Sequence, residues 1–290
     1  MQPTLLIAIG GNALLKAGER ATVAAMRTHV EETCRAVARV VAEGWRVVIT
    51  HGNGPQVGAE LMRSELAARE TYPLPLGVCV ANTQGEIGFL LQQALGTALA
   101  GADVRRPVAT VLTQVVVAAD GPGFARPTKP IGPFYSRAEA DSRRSLGWII
   151  VEVPPHGYRR VVASPEPLEI VEESVIRTLV QAGIVVITLG GGGIPVVRNA
   201  CRLAGVEAVV DKDLSSALLA ARRTRVVWTG LRVMTCAASR LPVTSRRARW
   251  GRKWRRLFGS SRRAAARRSS PRTMRSGPPS LADVARTSRP

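Results

Sequence analysis

Three short apolar runs, each ending in a glycine-rich loop, restrict the possible fold of this chain more than any other feature. The runs cover residues 4–9, 46–50 and 184–189, and the loops that follow read GGNA, HGNGPQVG and GGGG. A continuous apolar run of this length is typical of a strand buried on both faces of a parallel sheet. Between the first two runs, residues 22–43 place apolar side chains at steps of three and four, which predicts a helix. The chain is therefore expected to be an α/β protein, a three-layer sandwich with a mainly parallel central sheet.

The rest of the pattern continues this alternation with one interruption. Helices are predicted at about 84–99 and 168–181, and a further strand at 107–117. Between residues 120 and 167 proline and glycine are frequent, and two apolar stretches flank the turn sequence PPHGY. This composition predicts a small excursion from the α/β alternation that carries a β-hairpin and forms a flap.

The charge of the chain is concentrated at one end. The 290 residues hold 41 Lys and Arg against 21 Asp and Glu, a formal net charge of +20. Residues 221–290 contain 20 of these basic residues and a single acid, Asp283, so residues 1–220 are almost neutral. The basic tail has neither a helical nor a strand period, which is typical of sequence that cannot bury enough apolar surface to order itself. We therefore predict a folded domain over 1–220 and a disordered or non-native tail over 221–290.

Cysteine and histidine usage argues against several kinds of site. The four cysteines are widely spaced, form no C-x-x-C pair and lie near no histidine cluster, so we expect buried thiols and neither a disulfide framework nor a metal site. The three histidines are scattered, and no Ser-His-Asp arrangement can be inferred; His51 could donate a hydrogen bond within its loop. No basic segment precedes the first apolar run, and no later run approaches the roughly 18 apolar residues of a membrane span, so a cytoplasmic protein is expected.

The three glycine loops predict an anion site. Glycine lets backbone N–H groups approach a phosphate closely, and loops of this kind gather beyond the carboxyl ends of parallel strands. Neither common phosphate fingerprint fits, because G-x-x-x-x-G-K-[ST] is absent and Gly52, Gly54 and Gly58 miss the G-x-G-x-x-G spacing by one residue.

Lysine is scarce before residue 221, where only Lys16, Lys129 and Lys212 occur among many arginines. A compact ammonium suits a phosphoryl group, so Lys129 and Lys212 are predicted to contact one, while Lys16 is expected to be a surface residue. Lys212 lies between Asp211 and Asp213, which could hold its ammonium in place. The alternative interpretation is that Asp-Lys-Asp is a helix start in which the acids offset the dipole.

Five segments together resemble the carbamate kinases, which have the amino acid kinase fold. They are IAIGGNAL, THGNGPQVG, TKPIGPFYS, LGGGGIPV and VEAVVDKDLSSALLA, and the resemblance spans roughly residues 5–220. It implies an eight-stranded, mainly parallel sheet, a homodimer, and reversible phosphoryl transfer between ATP and carbamate that gives ADP and carbamoyl phosphate. It also implies Mg²⁺ bound with the nucleotide, a role in arginine catabolism, and no membrane or specific nucleic-acid partner. Residues 120–167 would correspond to the subdomain that protrudes over the carbamate site.

The resemblance also assigns site residues. Lys129 and Lys212 would neutralise charge on the phosphoryl oxygens as catalytic residues, and Asp211 would orient the two lysines. The predicted substrate- and phosphate-binding residues are Gly10, Gly11, Asn12, Gly52, Asn53, Gly54, Gly191 and Gly192. No residue is predicted to bind a metal. Phosphoryl transfer depends on positioning and charge stabilisation and needs no protein nucleophile, which agrees with the absence of a triad.

The resemblance ends near residue 220. Two segments that follow in the family, an acidic TDVDGV-like one and a GSMGPKV-like one that reaches the ATP phosphates, do not appear. Back-translating GRKWRRLFGSSRR, residues 251–263, with G/C-rich codons and moving the frame by two bases gives PKVEAAVRFVEA, the missing family helix. The tail is therefore hypothesised to be a frame-shifted reading, and we expect weak or absent kinase activity and poor solubility.

Two other functions stay open from the sequence. One is a different kinase of the same fold, which the pairing of KPIGP with HGNGPQVG disfavours. The other is a nonspecific nucleic-acid-binding tail on an inactive domain, to which Trp250 and Trp254 among the arginines lend superficial support.

Overall fold

The computed structural model describes residues 4–16, 19, 22–221 and 225–227. The predictions of a disordered and frame-shifted tail concern residues that lie almost entirely outside this range. The strands are, in chain order, β1 (Thr4–Ile9), β2 (Arg46–His51), β3 (Val108–Thr110), β4 (Gln114–Val117), β5 (Lys129–Tyr135), β6 (Ile150–Val153), β7 (Gly157–Val162), β8 (Pro167–Ile170), β9 (Val185–Ile187), β10 (Ile194–Asn199), β11 (Arg202–Gly205) and β12 (Arg225–Val227). The helices are α1 (Val23–Ala42), α2 (Gly54–Leu66), α3 (Leu76–Ala100), α4 (Pro122–Ala125), α5 (Arg137–Arg144), α6 (Glu173–Gln181) and α7 (Lys212–Ala221).

A five-stranded sheet in the order β12-β1-β2-β9-β3 forms the centre of the molecule. All of its pairings are parallel, which confirms the interpretation of the apolar runs as buried parallel strands. The side chains of β1 illustrate the burial, since Leu6, Ile7 and Ile9 are each at most 1% exposed. Because the strands run in one direction, the loops after β1, β2 and β9 leave the sheet at the same edge.

A second, four-stranded sheet in the order β11-β10-β4-β8 adjoins the first. Its central pair, β10 with β4, is parallel, while β11 and β8 are antiparallel to their neighbours. Each sheet extends to the point where the chain passes between them: Val111 N donates to Ile187 O of the first sheet at 2.9 Å, and Ile194 N of the second sheet donates to Thr113 O at 2.8 Å. The single strand predicted at 107–117 is therefore wrong at 111–113, where the chain leaves one sheet for the other. Within the described residues the one eight-stranded sheet implied by the resemblance is thus divided in two.

Two predicted helices have different boundaries in the structure. The helix predicted at 84–99 begins at Leu76, because the residues before Gln84 continue the same buried face, with Leu76, Cys79 and Val80 at most 2% exposed. The helix predicted at 168–181 is strand β8 in its first three residues. Ile170 is 3% exposed and pairs with Val115 in the second sheet, so tertiary pairing overrides the local helical pattern there.

Helix α1 agrees with its prediction almost to the residue. It starts after Thr22, whose hydroxyl accepts a hydrogen bond from Ala25 N at 3.1 Å and so caps the first turn. Its buried face contacts α3, where Cys34 Sγ lies 3.6 Å from Leu91 O, and at the exposed edge the Arg27 guanidinium donates to Gln93 Oε1 at 2.8 Å. The two long helices form one outer layer, and α6 and α7 pack on the opposite side of the sheet through Ile176, Val180 and Leu219.

The excursion between residues 120 and 167 forms a small sheet of its own. Strands β5, β7 and β6 pair antiparallel, and β6 with β7 is the predicted hairpin. Helix α5 begins with a capping box, in which Ser136 and Glu139 satisfy each other's backbone amides, and covers a cluster of Tyr135, Ala140 and Ile150. This unit is called the β5–β7 subdomain below.

Regular structure continues slightly beyond the predicted boundary at residue 221. Strand β12 pairs in parallel with Leu5, Leu6 and Ile7 of β1. Of the tail predicted to be disordered or non-native, the structure describes Arg225–Val227, which form this short strand. Helices long and apolar enough to cross a membrane are absent from the described part of the chain.

Candidate active site

The loops after β1 and β2 meet the start of α7 at one edge of the central sheet. The position that a Cβ atom would take on Gly52 lies 3.8 Å from the Gly11 amide nitrogen and 3.6 Å from Lys212 Cδ. The Lys212 side chain therefore crosses Gly52 next to the Gly10–Ala13 loop. Within the described residues, the Cβ positions of Gly10, Gly11 and Gly54 have no heavy atom within 4 Å, so these backbones border open space. Asn12 lies in the short 3-10 turn Gly11–Ala13 that follows β1.

The GGGG loop completes this cluster from the side of β9. A Cβ on Gly191 would lie 2.2 Å from Asn53 Nδ2, and one on Gly192 would lie 2.4 Å from Val210 O. Both residues also have positive φ, +64° and +92°, which L side chains rarely adopt. Asn53 after β2, the glycines after β9 and the segment before α7 are thus in direct contact.

The two predicted lysines are each held by a carboxylate. Lys129, the first residue of β5, donates from Nζ to Asp211 Oδ2 at 2.5 Å, and Lys212 bonds to Asp213. Asp211 Oδ1 also accepts from Asp213 N at 2.8 Å, so Asp211 both holds Lys129 and caps α7. The Asp-Lys-Asp sequence is therefore both a helix start and a place where a carboxylate, that of Asp213, holds Lys212. Asp211 bonds to Lys129, one of the two lysines that it was predicted to orient.

Electrostatics keep Asp211 ionised. Burial by itself would raise the pKa of its carboxyl, but the hydrogen bond and charge of Lys129, with the Asp213 N–H and Lys212, outweigh burial and lower the pKa below its ordinary value. The carboxylate therefore carries its negative charge at neutral pH and holds the Lys129 ammonium beside the glycine loops.

A buried polar layer under the loops was not predicted from the sequence. Gln84 of α3 is 1% exposed; its Nε2 donates to Gly190 O at 3.0 Å and Thr113 O at 3.1 Å, and its Oε1 accepts from Thr113 N at 2.8 Å. The neighbouring Thr83 accepts from Asn53 Nδ2 at 2.8 Å. The sequence signal was weak, because α3 also carries polar residues at other positions: Asn82, Glu86, Gln92, Gln93 and Thr97. Helix α3 thus fixes both the Asn53 side chain and the GGGG loop.

Helix α7 is tied to the same loops by two serines. Ser215 Oγ donates to Gly192 O at 2.6 Å, and Ser216 Oγ shares a hydrogen bond with Thr50 Oγ1 at 2.8 Å. Both serines are fully buried. The helix that begins at Lys212 is therefore in fixed register with β2 and the loop after β9.

His51 lies in the floor of the site as a neutral side chain. It is 1% exposed, and its Nδ1 donates to Gly52 O at 3.1 Å, which confirms the predicted hydrogen bond within its loop. Burial lowers the pKa of His51 to about 4, against a smaller opposite effect of the Gly52 carbonyl. The imidazole is therefore uncharged at neutral pH and acts as a packing and hydrogen-bonding group.

The His51 shift predicts acid sensitivity in a defined window. Since the folded-state pKa lies below the ordinary value of 6.5, the stability from the neutral imidazole is complete above pH 6.5 and is lost as pH falls towards 4. We expect urea unfolding to show a loss of about 2 kcal/mol between pH 7 and pH 5 that His51→Gln abolishes. An equal loss in the His51→Gln variant would contradict the assignment.

Most described thiols are buried, and the described residues form no metal-binding cluster. Cys34 and Cys79 are buried as predicted, whereas Cys201, in the turn between β10 and β11, is exposed and corrects that prediction. Cys236 lies outside the described residues. Where the structure describes the chain, groups of three or more Cys, His, Asp or Glu that could hold a metal ion do not occur.

Comparison with known proteins identifies the group to which this arrangement belongs. The amino acid kinase family profile matches residues 3–223. This chain belongs to the amino acid kinase family. Within this family it is 49% identical over 225 residues to the carbamate kinase-like protein YahI of Escherichia coli, covering 76% of this chain and 71% of YahI. It is 44% identical over 224 residues to the carbamate kinase of Pyrococcus furiosus, with the same coverages.

Solved amino acid kinase structures agree in fold. The carbamate kinase of Giardia lamblia bound to citric acid superposes with a TM-score of 0.75 at 39% identity, covering 79% of this chain and 75% of that one. The same enzyme bound to AMP-PNP gives a TM-score of 0.72 at 38% identity, with coverages of 79% and 74%. The resemblance to carbamate kinases and the α/β fold predicted from the sequence are confirmed.

Proposed function

We propose that this site catalyses reversible phosphoryl transfer between ATP and carbamate, giving ADP and carbamoyl phosphate. The observation that carries the proposal is the convergence of Lys212, Gly11 and Gly52 at the carboxyl edge of the sheet, with Lys129 held beside them by Asp211. The relatives at 44% identity and the solved structures named above are carbamate kinases.

In the proposed mechanism the chain positions the reactants and offsets charge. A carbamate oxygen attacks the γ-phosphorus of ATP, the bond to the bridging oxygen breaks, and ADP leaves with that oxygen. Lys129 and Lys212 offset the negative charge on the phosphoryl oxygens, and the backbone amides of Gly11, Asn12, Asn53 and Gly54 donate to the oxygens. The reverse direction makes ATP from carbamoyl phosphate, as arginine breakdown would require.

Mg²⁺ is proposed as the ion that accompanies the nucleotide. In the described residues the nearby carboxylates, Asp211 and Asp213, each already hold a lysine, and no three-residue cluster suited to a metal is present. This donor set fits an ion that is coordinated mainly by phosphate oxygens, with at most one carboxylate of the chain as a further ligand. When bound, the ion would reduce the charge on the phosphates.

Turnover is expected to be slow. The matched part of the chain spans 71% of YahI and of the Pyrococcus furiosus enzyme, so the remainder of those relatives lies outside the match. The two family segments missing after residue 220 belong to the nucleotide side of the site. The loops that face carbamate and the transferred group are all present in the matched part.

The deciding experiment measures ATP formed from carbamoyl phosphate and ADP with a luciferase assay, next to the Pyrococcus furiosus carbamate kinase. We expect a rate that is measurable but far below that of the archaeal enzyme, and no ATP formation when glutamyl phosphate or acetylglutamyl phosphate replaces carbamoyl phosphate. A complete absence of turnover would overturn the proposed function, and a rate equal to the archaeal enzyme would overturn the expectation of an impaired nucleotide site.

A homodimer is proposed as the assembled form. The outward face of α3 is open in a single chain: Phe89 is 58% exposed, and beside it a groove is lined by Gln92, Gly96 and Pro107. A large aromatic side chain that is exposed on a long helix favours burial against a second copy.

Light scattering after gel filtration tests this interface. We expect the chain to be a dimer and Phe89→Asp to be a monomer, because a carboxylate at the centre of an apolar contact is costly to bury. Leu66→Asp is the matched control, since Leu66 is 81% exposed at the end of α2 and should not affect assembly. A Phe89→Asp dimer would contradict the assignment of the face.

A further inference from the structure

Helix α2 touches the β5–β7 subdomain through two glycines. The position of a Cβ on Gly58 of α2 would lie 2.0 Å from Gly132 Cα and 2.2 Å from Gly132 N in β5. These atoms are backbone, so they cannot turn aside as a flexible side chain would. The helix and the strand therefore meet main chain against main chain, at a separation that only glycine at position 58 permits.

The residues around this contact hold β5 against the helix. Gly132 has φ +70°, and its carbonyl accepts from Arg159 Nε of the neighbouring strand at 3.1 Å. Ile131, next to it, is 1% exposed and belongs to the same apolar cluster as Val57 and Leu61 of α2. The position of β5 is thus set by the surface of α2 and not by the subdomain alone.

A second link connects the subdomain to the far end of α2. The Arg160 guanidinium bonds to Glu65 Oε1 at 2.9 Å and stacks over the Trp148 ring, 4.0 Å from its centroid. Glu65 follows Gly58 by seven residues, about 10 Å along the helix. Two links spaced along one rigid element restrict both the translation and the tilt of the subdomain.

Both ends of this arrangement lead into the candidate active site. Helix α2 begins directly after Asn53, in the loop that follows β2. Strand β5 begins at Lys129, three residues before Gly132, which is about 10 Å in an extended chain. A displacement of β5 by an ångström or more would break the 2.5 Å bond between Lys129 and Asp211.

We propose that Gly58 and Gly132 are positioning residues, whose close backbone contact sets the place of Lys129 relative to the Gly52–Gly54 loop. Through this contact, α2 fixes the positions of both the Lys129 ammonium and the backbone of the Gly52–Gly54 loop, which reach the site from different parts of the chain. The placement of Lys129 stands on the geometry alone; its effect on turnover rests on the proposed function.

Gly58→Ala is the direct test, with the acetylation rate of Lys129 by acetic anhydride as the readout, followed by peptide mass spectrometry. In the native chain Asp211 holds and shields this ammonium, so acetylation should be slow compared with that of the exposed Lys16 in the same sample. An alanine methyl forces β5 away from α2, and we expect the Lys129 rate, relative to Lys16, to rise several-fold. In the luciferase assay kcat should fall by about 10²-fold with a much smaller change in KM for ADP, because a misplaced group is lost from the transition state.

Two further variants keep the outcome clear. Gly205→Ala is the matched control, since Gly205 is an exposed position of β11 with no heavy atom of the described residues within 4 Å of its Cβ position; both readouts should stay at the native level. A Cβ on Gly132 would lie no closer than 3.7 Å to its neighbours among the described residues, but alanine is strained at the φ of +70°. Gly132→Ala should therefore displace Lys129 less than Gly58→Ala does. It replaces Gly58→Ala as the test if that variant does not fold.

The possible results separate the two proposals. A native Lys129 acetylation rate in folded Gly58→Ala, or in folded Gly132→Ala if the first variant does not fold, would overturn the positioning role. If Lys129 is acetylated faster in Gly58→Ala but the native chain makes no ATP, the positioning role is supported and the proposed function is overturned.

Discussion

Lys212→Met is expected to reduce ATP formation from carbamoyl phosphate by a factor of about 10²–10³, which is the usual loss when one preorganised group that stabilises transition-state charge is removed. The Lys212 side chain crosses Gly52 beside the Gly11 amide, so its ammonium is central among the groups proposed to contact the phosphoryl oxygens. Methionine keeps much of the length and apolar character of the stem while removing the charge. The loss should appear mainly in kcat, because the developing charge is what the ammonium offsets.

The control for this variant is Lys16→Met, which removes a lysine from an exposed loop and should leave the rate unchanged. Lys129→Met should fall in the same range as Lys212→Met. Circular dichroism and the thermal midpoint would show that each variant is folded. A folded Lys212→Met with more than about a third of the native rate would contradict the role given to this residue.

Gln84→Leu is expected to lower the free energy of unfolding by about 2–4 kcal/mol, as measured by urea titration at pH 7. The amide of Gln84 makes three buried hydrogen bonds, to Thr113 N, Thr113 O and Gly190 O. Leucine fills a similar volume but leaves the buried Thr113 N–H without this acceptor, and a buried polar group that loses its partner bears its full desolvation penalty. The packing of residues 111–113, where the chain passes from one sheet to the other, should also become looser in this variant.

Gln181→Leu provides the comparison, because Gln181 is an exposed residue at the end of α6, and surface changes of this type usually alter stability by at most about 0.5 kcal/mol. Gln84→Glu adds a second test, since a carboxylate keeps the acceptor for Thr113 N but loses the donor to Gly190 O. If Gln84→Leu unfolded at the native urea concentration, the buried bonds would contribute far less than their geometry indicates.

The parts of the fold that could be predicted were those set by local pattern. The apolar runs of β1, β2 and β9 and the periodic face of α1 depend on burial that is repeated along the sequence, and their glycine loops mark the sheet edge. Residues 168–170 were misassigned because their helical spacing is overridden by the pairing of Ile170 with Val115. Local periodicity carries no information about such a partner 55 residues away.

The candidate site likewise contains residues that could be predicted from the sequence and residues that could not. The glycines and lysines that border it could be predicted because few residue types suit a phosphoryl group, and the structure brings Gly11, Gly52 and Lys212 together. The supporting residues Gln84 and Thr113 could not be predicted, because a buried amide is recognised only by the backbone atoms that it reaches in space. The contact of Gly58 with Gly132 is of this kind too, since each glycine by itself is compatible with an ordinary turn.

Helix α7 places Lys212 at its first residue, about 15 Å from the end of the helix at Ala221. Local unfolding that starts at the carboxyl end of this helix must disrupt the buried Leu219 and then the Ser216 and Ser215 bonds before it reaches the lysine. Each of these is an energetic barrier to fraying, since opening of a helix end stops where buried contacts begin. The contacts of Leu219, Ser216 and Ser215 thereby protect the reactive end of α7 from opening that begins at its carboxyl end.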